Sequence, residues 1–209
     1  MKKEKNIHAN VVTPFAPKEF EPHIDRTAYI HPLAAVIGAA YIGRRVMVSP
    51  AASVRADEGH PIWVGDETNV QDGVIIHALE TWDEGHVVEQ NLVEHNGRKY
   101  AVYVGDRVSL AHQCQIHGPA KVGNDTFIGM QSLVFKSEVG NNCVVEPQCL
   151  LLGVKVPDGH YVPAGSVITE QFDADQLPAI TEDYAFKNLN KGVVHVNVHL
   201  ADGYSERDG

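Results

Sequence analysis

The chain has 209 residues, 44% hydrophobic and 21% charged, and 17 Lys+Arg against 27 Asp+Glu leave a net charge of −10. This is a globular composition; no apolar run approaches the ~18 residues of a membrane span, and the acidic balance argues against nucleic acid and anionic membranes as partners. Three cysteines are too few for a disulfide framework, and Met1-Lys-Lys-Glu-Lys opens no signal peptide, so a cytoplasmic protein is expected, with a trimmed leader left open.

Residues 1–29 read as an irregular, proline-punctuated lead-in, a cap on the first coil of a repeat. From residue 30 to 168 aliphatics recur every six positions: Ile30, Val36, Ile42, Val48 and Val54, then Val64, Val70 and Ile76, then Val104 through Val134, then Val139, Val145 and Leu151. Four residues after each comes a smaller side chain, among them Ala34, Ala40, Ala52, Thr68, Cys114, Ser132, Cys143 and Cys149. Neither the 3.6-residue period of a helix nor the alternation of an amphipathic strand sustains this beat. It predicts an all-β solenoid, a left-handed parallel β-helix of hexapeptide repeats with three strands per coil and nearly six coils. The three cysteines fall on the inward small position and read as core thiols. Glycines following the aliphatics (Gly43, Gly65, Gly105, Gly123, Gly129, Gly140) are expected to ease the bends.

The beat breaks over 79–99, a polar stretch with Glu80, Asp83, Glu84, Glu89 and Glu94 that ends in the turn signal Asn96-Gly97. A break that returns to register is an inserted loop, the kind that lines functional faces. Residues 169–209 form the helical end of the chain. Thr181-Glu182-Asp183 marks a helix start, and Ala185, Leu189, Val193, Val196 and Leu200 give an apolar stripe that lies on the solenoid, with Gly192 weakening the helix.

Twelve histidines are many for an acidic chain. With three hexads per coil, Ile37, Arg55, His77, His117 and Phe135 form one outward column, which places His77 and His117 on adjacent coils about 4.8 Å apart. Their imidazoles can converge on one cation. His112 precedes His117 by five residues and belongs to another face of the prism, so one subunit would struggle to aim all three at one ion, whereas a neighbour packed face to edge could present His112 to the pair. Three-fold symmetry closes that contact, giving a homotrimer with one metal per subunit interface. Three imidazoles and an open position are the coordination of catalytic zinc. Arg55, Asp57, Gln71, Asp72 and Glu80 lie close by as proton-handling or orienting groups. His8, His23, His31, His60, His86, His95, His160 and His199 read as solvated side chains.

Arg55-Ala-Asp57-Glu58, Asn69-Val-Gln71-Asp72-Gly-Val-Ile-Ile-His77-Ala-Leu-Glu80 and Ser109-Leu-Ala-His112-Gln-Cys-Gln-Ile-His117-Gly-Pro resemble the γ-class carbonic anhydrases. The similarity runs nearly end to end, through Val12-Thr-Pro14, Phe127-Ile-Gly-Met130, Tyr161-Val-Pro-Ala-Gly165 and Val196-Asn197-Val198-His199-Leu200, and is closer to the methanoarchaeal prototype than to the carboxysomal branch. The resemblance implies a homotrimer in which His77 and His117 of one subunit and His112 of the next hold Zn²⁺, with Fe²⁺ or Co²⁺ as other occupants. It implies that Gln71 and Asn197 orient the hydroxide and CO₂, that Asn69 supports Gln71, and that Arg55 and Asp72 pair across the boundary. Asp57 and Glu58 would complete the pocket, and Glu80 would shuttle protons with Glu84 as relay. Phe15 and His195 stand where the family pattern has Trp and Tyr.

The expected reaction is the reversible hydration of CO₂ to bicarbonate and a proton. Two alternatives share the fold: a hexapeptide-repeat acyltransferase using acyl-CoA, which needs one histidine and a long groove, and a non-catalytic γ-carbonic-anhydrase-like assembly module.

Overall fold

A computed structural model describes residues 6–208, so the first five residues of the predicted lead-in and Gly209 lie outside the described residues, as does the side chain of Asp208. Three parallel sheets form a prism. The first stacks eight strands, from Ile7–His8 through Ala35–Gly38, Ser53–Ala56, Ile75–Ala78, Gln115–Gly118, Leu133–Phe135 and Leu150–Leu152 to Val167–Ile168. The second stacks seven from His23–Ile24 to Lys155–Val156, and the third seven from Tyr29–Ile30 to Tyr161–Val162. The chain visits the three in turn, so each coil lies on the one before. The aliphatics of the beat from Val36 to Leu151 are at most 2% exposed and, with the small column, fill the prism axis. Each buried aliphatic contributes about 1.5–3 kcal/mol. Thr68 joins this interior because its Oγ1 donates to the Gly105 carbonyl (2.8 Å) and accepts from the Val108 N–H (3.0 Å). All three cysteines are buried there, and burial pushes the Cys114 thiol far up from its ordinary value.

Four expectations need correction. The coils are not nearly six: the first sheet has eight rungs, because Ile7–His8, His23–Ile24 and the strands beyond residue 155 extend the ladders where the six-residue beat is hard to see. Among the described residues of the lead-in, Ile7–His8 and His23–Ile24 belong to the ladders, with residues 9–22 between them. The glycines after the aliphatics do not supply turns. A Cβ on Gly123 would sit 2.6 Å from the carbonyl carbon of Gly140 on the next coil, so these glycines permit close approach of backbones. Left-handed φ angles fall two residues later instead, at Arg45, Glu67, Arg107, Asp125 and Asn142. The acidic excursion is a pair of antiparallel hairpins, Trp82–Asp83 with His86–Val87 and Val93–His95 with Arg98–Tyr100. Asn96 and Gly97, at φ 49° and 71°, make the predicted turn.

The fourth correction concerns the C-terminal helix. A short helix α1 spans Gln171–Asp175 and the long helix α2 spans Leu189–Asp208, so α2 begins well after Thr181. Tyr184 stacks on Tyr161 at 4.1 Å and its hydroxyl donates to Glu146 Oε1 (2.8 Å), which holds that segment on the solenoid as turns. The buried stripe of α2 is Asn190, Val194, Val198 and Ala201, whereas Val196 and Leu200 are 55% and 42% exposed. Asn190 Nδ2 donates to the Arg107 carbonyl (2.8 Å), Arg45 binds Asp202 (2.7 Å) and Tyr204 stacks on Tyr29 (4.8 Å). The helix thus runs back along the third sheet toward the first coils. No helix among the described residues is long and apolar enough to cross a membrane.

Candidate active site and metal centre

Strand register builds the first half of the site. Ile37 lies beside Arg55, His77 beside His117, and His117 beside Phe135, the predicted outward column on the first sheet. The His77 and His117 rings are 5.5 Å apart between centroids and nearly perpendicular at 86°, and Phe135 packs edge-on against His117 at 5.1 Å. His117 Nδ1 lies 3.2 Å from the Gly118 carbonyl, which assigns the proton to Nδ1 and leaves the Nε2 lone pair free. Burial holds this histidine below its ordinary pKa, and the His77 ring adds to the effect. It is therefore a neutral imidazole with a ligand-ready nitrogen.

His77 Nε2 lies 2.9 Å from Arg55 Nη2, 3.2 Å from Asp57 Oδ1 and 3.4 Å from Glu58 Oε1. It cannot accept from the guanidinium and donate to the carboxylates at once. The hydrogen bond to His77 holds the Asp57 carboxyl below its usual range against the cost of burial, and Arg55 reinforces it. Asp57, Glu58 and His77 offer three donor atoms within 4.8 Å of one another. With His117 adjacent, this mixed imidazole and carboxylate set suits a divalent cation, which would satisfy the lone pairs that crowd the point.

The second half occupies the corner between the third and first sheets. Asn69 and Ser109 pair in register, and Gln71 Nε2 donates to Asn69 Oδ1 (2.9 Å) while Asn69 Nδ2 donates to Ser109 Oγ (3.0 Å). All three side chains are buried. One position along, His112 Nδ1 meets Asp72 Oδ2 at 3.1 Å, both side chains 54% exposed. Gln71 and His112 border a mostly apolar cavity of about 450 Å³ formed with Phe127, Met130, Leu189 and Val193. Asn197 lies on α2, its Nδ2 donating to the Val193 carbonyl.

One chain therefore gathers Arg55, Asp57, Glu58, His77 and His117 on one face, and Asn69, Gln71, Asp72 and His112 at another. Among the described residues the three histidines form no common donor group. Glu80 is half-buried at the root of the insertion, and Glu84 sits at an exposed hairpin tip with φ 44°.

Sequence reasoning missed two features. His23, Tyr41 and Trp63 stack along the outer second sheet at 5.1 and 3.7 Å, and His95 stacks on Tyr103 at 4.0 Å, so His23 and His95 are aromatic-ladder members rather than merely solvated. The hexad held that signal, since Tyr41, Trp63 and Tyr103 each precede an aliphatic of the beat. Thr81, Asn91 and His60, which tie down the insertion, lie where the beat is silent.

No family model matches the chain. A carbonic anhydrase of Methanosarcina thermophila is 61% identical over 202 residues, 96% of this chain and 82% of that protein. A carboxysome assembly protein of a Nostoc species is 42% identical over 92% of this chain, which spans only 33% of that protein. Among solved structures, a hexapeptide transferase family protein from Anaplasma phagocytophilum shares the fold with a TM-score of 0.66 at 23% identity, over 88% of this chain and 93% of the other.

Proposed function

From the premise that the chain belongs to the γ-class carbonic anhydrases, we propose that it hydrates CO₂ to bicarbonate and a proton at a metal shared between subunits of a homotrimer. The observation that carries this is the register of His77 beside His117 on one face, with His112 held apart at a different corner. The first sheet supports the contact, since Ile75, Leu152 and Val167 on its outer surface are 41%, 37% and 63% exposed. A second copy laid against this face covers them and brings in His112 of the partner subunit.

His77, His117 and His112 of the partner subunit would hold Zn²⁺, or Fe²⁺ or Co²⁺ in its place. A divalent ion bound there acidifies a water molecule and so furnishes the nucleophile at neutral pH. The chain's own residues do the rest. Gln71, its amide fixed by Asn69, retains its Oε1 as an acceptor that orients the attacking oxygen. Asn197 keeps one amide N–H beyond that given to Val193 and offers it to a CO₂ oxygen beside the apolar wall of Leu189 and Val193. Arg55 places a guanidinium where bicarbonate charge develops, Asp57 sets its orientation, Glu58 stands beside His77, and Asp72 orients His112. Glu80 accepts the proton and hands it to buffer.

The test is metal content and CO₂ hydration rate on anaerobically purified protein. About one divalent ion per chain, with hydration activity that a chelator abolishes and the ion restores, is the expected result. A metal-free, natively folded monomer overturns the proposal.

A further inference from the structure

The corner between the first and second sheets carries three successive insertions, residues 9–22, 57–61 and 79–101. Glu58 belongs to the second and Glu80 to the third. A cluster of buried polar bonds joins these two, and its centre is Thr81, which is fully buried.

The Thr81 N–H and the Thr81 hydroxyl both donate to the Glu58 carbonyl, each at 2.9 Å. Thr81 Oγ1 accepts from the His60 N–H at 2.6 Å and lies 2.9 Å from His60 Nδ1. Its only proton goes to Glu58, so His60 Nδ1 carries the proton of that second contact. The His60 ring stacks on Trp82 at 5.7 Å and 14°, which covers the cluster. On the far side of the hairpin the Val88 N–H donates to the Thr81 carbonyl (3.0 Å), and Asn91, only 5% exposed, donates its Nδ2 to the Glu80 carbonyl (2.7 Å).

The Val88–Thr81 bond extends the hairpin ladder of Trp82 with Val87 and Asp83 with His86, but the bonds of Thr81 to Glu58 and His60 and of Asn91 to Glu80 are not needed to form it. They fix instead the backbone on the C-terminal side of Glu80 against the segment that carries Glu58. A valine at position 81 would fill the same space, so the hydroxyl is there for the bonds. Direct proton transfer demands heavy atoms within about 2.6–3.2 Å, or one water between them, and a displacement of about 1 Å breaks it. We propose that Thr81 and Asn91 are positioning residues for proton removal: they hold the root of Glu80 in register with Glu58, so that the carboxylate swings between the site and solvent from a fixed origin. This rests on Glu80 as the proton carrier.

Thr81→Val and Asn91→Ala test it in the full-length, metal-loaded protein, with Thr81→Ser and Glu80→Ala alongside. In weak buffer both variants lose about tenfold in kcat while kcat/KM stays within about twofold, and added imidazole restores kcat. Thr81→Ser, which keeps the hydroxyl, behaves as the parent. In metal-free protein, amide exchange at Val88 and Asn91 accelerates in Thr81→Val and Asn91→Ala but not in Glu80→Ala. Should Thr81→Val fail to fold, Asn91→Ala carries the test alone. A buffer-rescued loss in Glu80→Ala with none in the two positioning variants overturns the inference and spares the proton carrier. An undiminished Glu80→Ala rate removes the proton carrier itself and this inference with it. Equal losses in kcat and kcat/KM that imidazole cannot repair reduce Thr81 and Asn91 to a structural role and also overturn it.

Discussion

A metal shared across a seam can be split between two inactive chains and put back together. In the proposed homotrimer, chains bearing His77→Ala and chains bearing His112→Ala would each lack one ligand at every site of their own assembly. The two lesions are independent in the structure: His77 lies against Arg55, Asp57 and Glu58 on the first sheet, whereas His112 meets Asp72 at the corner beyond. Each is therefore expected to leave the other half-site intact. When equal amounts assemble at random, a seam is complete only if the chain giving the histidine pair carries His112→Ala and its neighbour carries His77→Ala. Every mixed trimer then has one such seam, and about a quarter of all sites are whole. Metal per chain and CO₂ hydration, measured on co-refolded mixtures against each variant alone, should both recover to about a quarter of the parent. If all the ligands came from one chain, no mixture could rebuild a site. A mixture no more active and no richer in metal than its two components refutes the shared centre.

Two glycines offer opposite outcomes. Gly123→Ala forces a Cβ to within 2.6–2.7 Å of the Gly140 and Asn141 backbone, and should destabilise the protein by about 1–3 kcal/mol in a denaturant titration. Gly192→Ala, in α2 with no atom beyond the helix's own backbone within 4 Å of the new Cβ, should stabilise by about 0.5–1 kcal/mol in the same assay. The anchor of α2 depends on pH. The hydrogen bond from Arg45 holds the Asp202 carboxyl below its ordinary value, so its contribution is present where the unfolded carboxyl is ionised and fades as pH falls through the folded value. The side chains are 39% and 40% exposed, and solvent screening keeps the pair below about 1 kcal/mol. Asp202→Asn should lower Tm slightly at pH 7, with the gap from the parent closing as pH falls below the ordinary carboxylate range; a gap of constant size would show that the anchor is not ionic.

The solenoid was legible because its signal is repeated. Each aliphatic of the beat occupies the same place in the coil, so the His77/His117 register follows from counting. What repeats weakly was lost. Two-residue strands such as Ile7–His8 and His23–Ile24 are too short to display a period, and the coils were undercounted at both ends. The glycine column is plain in the sequence but its cause is not, because a sequence reports a missing Cβ without saying whether φ or space demands it. The start of α2 was misplaced because Thr181-Glu182-Asp183 is a sound local signal overridden by Tyr184, whose partners Tyr161 and Glu146 are distant in sequence. Thr81 and Asn91 were silent for the same reason: their bonds reach back to Glu58 or across a hairpin, and nothing in their immediate neighbours announces it.

A stack held together only through adjacent layers loosens from its extremities inward. His77 and His117 belong to the fourth and fifth of eight layers, so three remain outside the pair in each direction. Melting of either tip leaves the histidine pair seated until the neighbouring layers dissolve. At the amino-terminal tip α2 adds a brace, since Asp202 and Tyr204 grip Arg45 and Tyr29 from the opposite end of the polypeptide. Position within the stack thus gives these histidines a rigidity that their individual bonds would not.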